Sequence, residues 1–205
     1  MKLIKNCLLL VACITFGSAS ADDVEPQVLL QQVAKKMTII LDANKEQLKI
    51  NPNLSADIVR ENLLPHIDTA GIGKRLIKRA QWNGLSSAQQ ERFNNAFIEH
   101  LIRTYAAGLA NYDGHEFVFN KTQFSRSGKT AWVYSELVAK DMETFDIIYT
   151  LKLSDEYEGW KVIDIAVNGI KILQNYREQL KSIDINEGFE ELLIKIENEN
   201  SVKPS

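Results

Sequence analysis

The sequence predicts an α+β domain in which helices pack on one face of a curved, four-stranded antiparallel sheet. Apolar residues recur at helical spacing up to residue 112, the period changes to two between residues 115 and 167, and helical spacing then returns. The four strand-like segments are joined by short turns, which indicates a meander with one buried face. Helices and strands that are segregated along the chain are typical of α+β architecture.

The first half of the chain is expected to form four helices, over residues 26–48, 54–64, 68–80 and 86–112. Pro26 suits the first turn of the first helix, because its missing N–H would have no partner there. Ser86 lies three residues before Gln89, and this spacing is that of a capping box at the start of the longest helix. Asp113 and Gly114 are expected to end that helix.

Four strands are expected to follow, over residues 115–120, 130–139, 145–153 and 160–167. In the third strand, five apolar residues from Phe145 to Leu153 occupy alternate positions, so they share one face. Asn168 and Gly169 are expected to end the sheet. Two last helices are expected over residues 170–183 and 186–198.

The first 21 residues read as an export signal. Lys2 and Lys5 are followed by an apolar stretch over residues 8–16 and by the small residues of a cleavage site, so the mature chain is expected to begin at Asp22. This places the product in the periplasm. The alternative is a lipoprotein site, because the residues before Cys13 also fit that pattern and would leave a lipid anchor on this cysteine.

Both cysteines, Cys7 and Cys13, lie in the signal, so the mature chain must fold without disulfides. Its length predicts a single domain over residues 22–198 with a flexible tail over residues 199–205. The loss of Lys2 and Lys5 changes the net charge from −3 to −5. An acidic chain of this kind argues against general binding to nucleic acids.

The sequence contains no convincing catalytic or metal-binding motif. Gly128, Lys129 and Thr130 resemble the end of a P-loop, but Gln123 stands where its first glycine is required. The three histidines lack the paired spacing of a zinc site, and no catalytic residue, metal or cofactor is expected. One alternative remains open, in which Asp164 is the base of a small cone-shaped isomerase or hydratase. Another is an envelope interaction module whose aromatic residues are merely core.

Two surface features also need an explanation. Aromatic and apolar side chains are abundant on elements that must face each other. These side chains form either the core or the wall of a binding site. Lys74, Arg75, Lys78 and Arg79 form a basic cluster in an acidic chain. This cluster is either a solvated helix face or a contact for an anionic head group or an acidic partner.

Several motifs resemble those of the MlaC family, the toluene-tolerance auxiliary proteins. They are Leu-Leu-Pro-His-Ile-Asp at 63–68, Gly-Trp-Lys-Val-Ile-Asp at 159–164, Gln-Asn-Tyr-Arg at 174–177 and Gly-Phe-Glu-Glu-Leu at 188–192. The stretch from Trp82 to Leu109 is similar as well. Ser87 replaces the usual proline of the helix start, and Asn168 replaces an acidic residue. The resemblance covers nearly all of the mature chain.

The resemblance implies a periplasmic phospholipid carrier with acyl chains in an apolar cavity between helices and sheet. It implies exchange of lipid between an outer-membrane lipoprotein–porin complex and an inner-membrane ABC transporter that bears an MCE-domain subunit, which maintains outer-membrane lipid asymmetry. The resemblance and the apolar faces predict these lipid-binding residues: Leu64, Ile67, Ile72, Leu76, Phe97, Leu101, Tyr105, Leu109, Trp132, Tyr134, Tyr149, Leu151, Ile165, Val167, Ile170 and Leu173.

Overall fold

A computed structural model describes residues 24–106, 108–109, 112–140, 143–154, 159–181 and 183–201. The predicted export signal, the alternative lipid anchor at Cys13 and the last four residues of the chain lie outside these ranges. The final helix continues to Ser201, which is three residues into the predicted tail. Within the described ranges, none of the helices combines the length and the apolar composition that a membrane crossing would need.

The chain folds into an α+β arrangement with seven α-helices in the described residues. They are α1 (Pro26–Ile50), α2 (Pro52–Asn62), α3 (Ile72–Leu76), α4 (Arg79–Gly84), α5 (Ser87–Ala106), α6 (Ile172–Leu180) and α7 (Ile185–Ser201). A short 3-10 turn over Leu64–His66 follows α2. The predicted capping box is confirmed, because the Ser86 N–H donates to Gln89 Oε1 at 2.9 Å and the Gln89 N–H donates to Ser86 Oγ at 3.3 Å.

The sheet is an antiparallel meander in the order β1-β2-β3-β4-β5. Its strands are β1 (Glu116–Phe124), β2 (Thr130–Val138), β3 (Thr144–Leu153), β4 (Trp160–Val167) and β5 (Ile170–Lys171). The first four match the predicted strands, although β1 extends four residues further than expected. A bulge between Phe119 and Lys121 changes the phase of the alternation in β1, which hid its second half from a simple two-residue pattern.

The fifth strand was not predicted. Ile170 and Lys171 pair with β4 before α6 begins, so the predicted helix over 170–183 starts two residues late. Asn168 and Gly169 both have positive φ angles, 48° and 80°, and turn the chain tightly enough to form this hairpin. The Asn168 side chain also accepts a hydrogen bond from the Asp146 N–H at 2.9 Å, which ties the turn to β3.

The predicted helix over 68–80 is wrong, because the chain forms two shorter helices there. Asp68 Oδ1 accepts the Gly71 N–H at 3.0 Å, and this local turn competes with helix formation. Ile77 then adopts an extended conformation and is buried between α3 and α4. The long helix α5 also ends earlier than predicted, at Ala106.

Candidate functional site

In the described part of the chain, the buried apolar side chains form three separate clusters. The helical cluster consists of Ile72, Leu76, Ile77, Trp82, Phe93, Ala96, Phe97, Ile98, Ile102, Ala106, Leu173, Ile185, Phe189, Leu192, Leu193 and Ile196. The sheet cluster consists of Leu30, Ala131, Val133, Leu151, Trp160 and Val162. The α1 cluster consists of Met37, Leu41, Leu48, Ile58 and Tyr112. Because a domain usually has one contiguous core, the half-buried side chains between these clusters are candidates for the wall of a site.

The turn between α2 and α3 is the place where the three clusters meet. Leu63 packs against the α1 cluster, Leu64 against the helical cluster and Ile67 against the sheet cluster. The turn is held to β4 by a bridge between Ile67 and Val162, and the Asp68 N–H donates to the Val162 carbonyl at 2.9 Å. The motif at residues 63–68, which contributes to the family resemblance, therefore connects the three apolar clusters.

Burial changes along the inner face of the sheet, which is the face that packs against α1. At the end near Leu30, the side chains of Ala131, Val133 and Leu151 are 0% exposed. At the other end of the strands, the paired side chains on this face are only half-buried; they are Phe117, Leu137 and Phe145. The inner face is therefore closed at the Leu30 end and open at the opposite end.

Tyr149 lies where the closed and open parts of the inner face meet. Its ring stacks on Phe119 with 6.5 Å between centroids, and Phe119 stacks on Phe117 with 6.3 Å, which forms an aromatic row toward the open end. Burial raises the pKa of Tyr149 to about 12, while a hydrogen bond with Ser135 acts in the other direction. The side chain is nevertheless only half-buried by surface area. Because it combines this burial with accessible surface, Tyr149 is a candidate for the wall of a cleft on the inner face.

Half of the predicted lipid-binding residues lie on the inner face of the sheet or pack as half-buried side chains against one of the three clusters. Ile67, Tyr149, Leu151 and Ile165 belong to the sheet cluster or pack against it, and Val167 is in register with them on β4. Leu109 packs against the α1 cluster. Leu64 and Leu101 are half-buried against the helical cluster.

Four other predicted residues are packed inside the helical cluster, namely Ile72, Leu76, Phe97 and Leu173. Phe97 illustrates this environment. Its ring stacks on Phe93 at 6.0 Å and meets Tyr176 edge-on at 5.0 Å, so its faces are already occupied by other rings. These side chains hold the helices together, and Leu173 also lines the groove of about 470 Å³ beside Trp132.

Trp132 and Tyr134 lie on the face of the sheet opposite to the sheet cluster, and there Trp132 faces helix α6 and Arg75 of α3 across a groove. They alternate with Ala131 and Val133 on β2, so their side chains lie on the face of the sheet that α6 covers in part and α1 does not. The Tyr134 hydroxyl donates to Gln123 at 2.9 Å, and Trp132 lines a groove of about 470 Å³ together with Arg75 and with residues of α6 that include Leu173. Aromatic character alone did not distinguish the two faces of this strand.

Tyr105 and Ile170 are exposed, at 50% and 64% of their surfaces. Burial first, and then the neighbouring Tyr176 on α6, raises the pKa of Tyr105, and Ile170 lies two residues before that helix. Both therefore flank α6 on the surface. Tyr176 also shares a hydrogen bond of 3.1 Å with His100 Nε2, which gives this histidine a structural role between α5 and α6.

The basic cluster divides into one internal residue and three surface residues. Arg75 forms an ion pair with Asp68, in which both side chains are largely buried, so this arginine fixes the turn before α3. Arg75 also lines the groove of about 470 Å³ beside Trp132, and its contact with a head group or partner stays a prediction. Lys74, Lys78 and Arg79 are exposed and remain available as surface charges.

Asp164 has a structural position. Its Oδ1 accepts the Ile165 N–H at 2.9 Å and the Leu173 N–H at 3.2 Å. This geometry assigns the carboxylate to the start of α6 and does not support its alternative role as a general base. Within the described ranges, no group of three or more His, Cys, Asp or Glu side chains is arranged to hold a metal ion.

Sequence reasoning missed the residues of the open end, Phe117, Phe119, Leu137 and Phe145, and the polar Ser135 among them. The signal for the aromatic row was present, because Phe117 and Phe119 have the two-residue spacing of one strand face. Which face was the inner one could not be decided until the register with β2 was known.

Comparison with known proteins gives a consistent result. The family model described as "MlaC protein" matches residues 31–198. The intermembrane phospholipid transport system binding protein MlaC of Haemophilus influenzae is 24% identical over 180 residues, which is 87% of this chain and 84% of that protein. The toluene tolerance protein ttg2D of Pseudomonas putida is 28% identical over 176 residues, which is 85% of this chain and 79% of that protein.

A solved structure has the same fold. It is the phospholipid-binding protein from Ralstonia solanacearum in complex with a phospholipid, with a TM-score of 0.75 and 21% sequence identity. The match covers 85% of this chain and 96% of the other. The helices and the antiparallel sheet described above are therefore an architecture found in another protein.

Proposed function

Because the chain belongs to the MlaC family, we propose that it binds a phospholipid whose acyl chains lie between the inner face of the sheet and helices α1, α2 and α5. One observation carries this proposal. The apolar interior is divided into three clusters, and the inner sheet face between them is closed at one end and open at the other. A cleft of this form can admit hydrocarbon chains from its open end.

The energetics suit a carrier. Two acyl chains of about sixteen carbons represent roughly 25 kcal/mol of gross transfer free energy from water, at about 0.8 kcal/mol per buried CH₂. A carrier must offer a cavity about as apolar as a bilayer, since it must both extract and release the lipid. Such a protein needs no catalytic group, and we propose that this chain is not an enzyme and has no cofactor, with the phospholipid as its cargo.

The wall of the proposed cavity is a corrected version of the predicted set. It consists of Leu64, Ile67, Leu101, Leu109, Tyr149, Leu151, Ile165 and Val167. The exposed Tyr105 and Ile170 are proposed to stand at its lip, where they flank α6. The aromatic row of Phe117, Phe119 and Tyr149 is proposed to form the wall that leads inward from the open end.

We propose that the protein works in the periplasm, as residues 22–198 after removal of residues 1–21. There it would carry phospholipid between an outer-membrane lipoprotein–porin complex and an inner-membrane ABC transporter with an MCE-domain subunit. One relative is named as the binding protein of an intermembrane phospholipid transport system, and this supports the proposal. The export signal predicted over residues 1–21 supports it independently.

Lys74, Lys78 and Arg79 are proposed to contact an anionic head group or an acidic partner surface during exchange. All three are exposed in a chain with a formal net charge of −3. Exchange of all three for Glu is expected to slow lipid transfer from anionic vesicles and to reduce its salt dependence, while unfolding is nearly unchanged. In the matched control, Glu replaces Lys35 and Lys36 on α1 and Lys195 on α7, which are also exposed. If both triple variants slow lipid transfer equally, the proposal is contradicted.

The proposed lipid binding is tested by native mass spectrometry of protein purified from cells. We expect a species heavier than the apo-protein by roughly 0.7 kDa, the mass of a two-chain phospholipid. Solvent extraction of the same sample is expected to release phospholipid. A protein that arrives without lipid and acquires none from vesicles would overturn the proposed function.

A further inference from the structure

A groove runs along α6, between this helix and the face of the sheet that carries Trp132. Its larger part has a volume of about 470 Å³, which lies in the usual range of ligand-binding clefts. A smaller hollow of about 100 Å³ continues it toward α3 and α4, because Arg177 and Lys181 border both spaces. The two spaces together are called the α6 groove below. Trp132 lies on the sheet face opposite to the one that lines the proposed lipid cavity.

The floor of the α6 groove contains apolar side chains in both parts. In the larger part, Trp132 of β2 and Ile163 of β4 are half-buried beside the buried Leu173. The smaller hollow is bordered by the apolar side chains of Leu76, Ile77, Leu180 and Ile185. Because apolar surface gains stability when it is removed from water, this floor favours a ligand that brings apolar groups to both parts.

The rim of the α6 groove is cationic. Lys171, Arg177 and Lys181 follow the helix, and Lys78 borders the smaller hollow from the side of α4. Among the described residues, the side chains of Lys171 and Arg177 have no partner for a hydrogen bond or an ion pair, whereas Lys181 is paired with Glu178. These cations are concentrated in a chain with a formal net charge of −3. The α6 groove therefore favours an anionic ligand.

The spacing of these cations distinguishes an acidic peptide from a single anionic group. Lys171 and Lys181 are separated by about 15 Å along the helix axis, and Arg177 lies between them. A phosphate is one compact group, and it pairs only with cations whose nitrogen atoms lie within about 4 Å of its oxygens. About five residues of an extended peptide span the whole row, and they can carry a carboxylate at every second position. The row of cations therefore matches a peptide better than a phosphate.

We propose that the α6 groove docks an acidic peptide segment of a partner protein. Successive side chains of an extended peptide point in opposite directions, so alternate apolar and acidic residues meet the floor and the rim together. Trp132 supplies the largest apolar contact, and tryptophan is among the residues that dominate the binding energy of interfaces. This inference goes beyond the proposed lipid binding and does not depend on the cargo.

The test is fluorescence anisotropy of a labelled peptide of about eight residues, in which Glu and Leu alternate, so that it is longer than the row of cations. We expect this peptide to bind the unmodified protein more tightly than the same peptide with Gln for Glu, and to bind more weakly as the salt concentration rises. Lys171→Glu combined with Arg177→Glu is expected to weaken binding about fivefold or more, because repulsion replaces two exposed ion pairs. Arg177→Gln alone should weaken it about twofold, which keeps the test decisive if the double variant fails to fold.

Lys35→Glu combined with Lys195→Glu is the matched control, since it changes the net charge equally at exposed lysines of α1 and α7 and is expected to leave peptide binding nearly unchanged. The inference is overturned if the Gln peptide binds as tightly as the Glu peptide, or if both double variants weaken binding equally. It is also overturned, in favour of a membrane contact, if the groove variant binds the peptide normally but no longer binds phosphatidylglycerol vesicles. Native mass spectrometry should find the same phospholipid content in all these proteins. Absence of lipid from every one of them would instead contradict the proposed function, and peptide binding would still decide the present inference.

Discussion

Asp164 on β4 caps α6 from the neighbouring strand, because its Oδ1 accepts the backbone N–H of Leu173 at 3.2 Å. Lys171, which directly precedes the helix, makes no capping bond with its side chain. The first turn of any helix has N–H groups without intrahelical partners, and Asp164 satisfies one of them. The bond also fixes α6 to the sheet, so that Leu173 enters the helical cluster.

Asp164→Ala is expected to lower the free energy of unfolding by about 1 kcal/mol, the usual cost of a lost helix cap. Asp164→Asn is the matched control, because its amide oxygen can accept the same bond and should preserve most of the stability. Urea unfolding of the three proteins measures the difference. If Asn is as destabilising as Ala, the carboxylate charge and not the capping bond matters at this position.

A second prediction concerns the close contact between α3 and α4. The Gly73 N–H donates to Asn94 Oδ1 at 2.8 Å, and a Cβ atom at residue 73 would lie 2.3 Å from the Trp82 ring. Gly73→Ala is therefore expected to destabilise the protein by about 1–3 kcal/mol through overpacking. Gly108→Ala is the control, since a Cβ atom there meets nothing within 4 Å. Thermal unfolding that is equal for both variants would contradict this packing argument.

The order of elements was predictable because it depends on local periodicity. The helical stripes, the four strands and the capping box at Ser86 all follow from spacing within a single segment. Element ends were less predictable where a long-range contact decides them. The pairing of Arg75 with Asp68 and the burial of Ile77 divide one expected helix into two, and neither interaction is visible in the local pattern.

The site was only partly predictable for the same reason. Tyr149 and Ile165 were expected on apolar grounds, and both are half-buried against the sheet cluster. Trp132 has equal apolar character but lies on the opposite face from Tyr149, in the groove beside α6, and only the register of β2 with its neighbours decides this. It is harder still to distinguish a residue of the cavity wall from a residue of the packed core. Phe97 would be apolar in both positions, and only the rings that surround it assign it to the core.

The third prediction concerns acid pH and the exposed carboxylate of Asp113. The pKa of Asp113 is lowered to about 2, and the largest cause is the hydrogen bond from Lys45. The hydrogen bond from Lys140 is the second cause. Because this folded-state pKa lies below the unfolded value of about 3.9, the ion pairs stabilise the protein above pH 4. Their contribution is lost as the pH falls toward about 2. The stability difference between the unmodified protein and Asp113→Asn is thus expected to vanish below about pH 2.

NMR titration of the Asp113 carboxyl carbon checks this directly. The midpoint is expected near 2 in dilute buffer. It should rise toward about 3.9 in high salt, because the lysines and the carboxylate are exposed and their interaction is screened. Lys45→Ala combined with Lys140→Ala should raise it similarly. A midpoint that is unaffected by both changes would remove these lysines as the cause.

The last prediction tests the proposed lip of the cavity. Ile170 is 64% exposed, so Ile170→Glu is expected to change the free energy of unfolding by less than about 0.5 kcal/mol. At the lip, however, a carboxylate would repel the lipid phosphate and remove an apolar contact, so this variant should be recovered from cells with less phospholipid. Ile39→Glu is the matched control, because Ile39 is 61% exposed on α1, away from α6. Its lipid content should be unchanged. Equal lipid in both variants would place Ile170 outside the mouth, and the proposed entrance would then have to lie along the half-buried aromatic row at Phe117 alone.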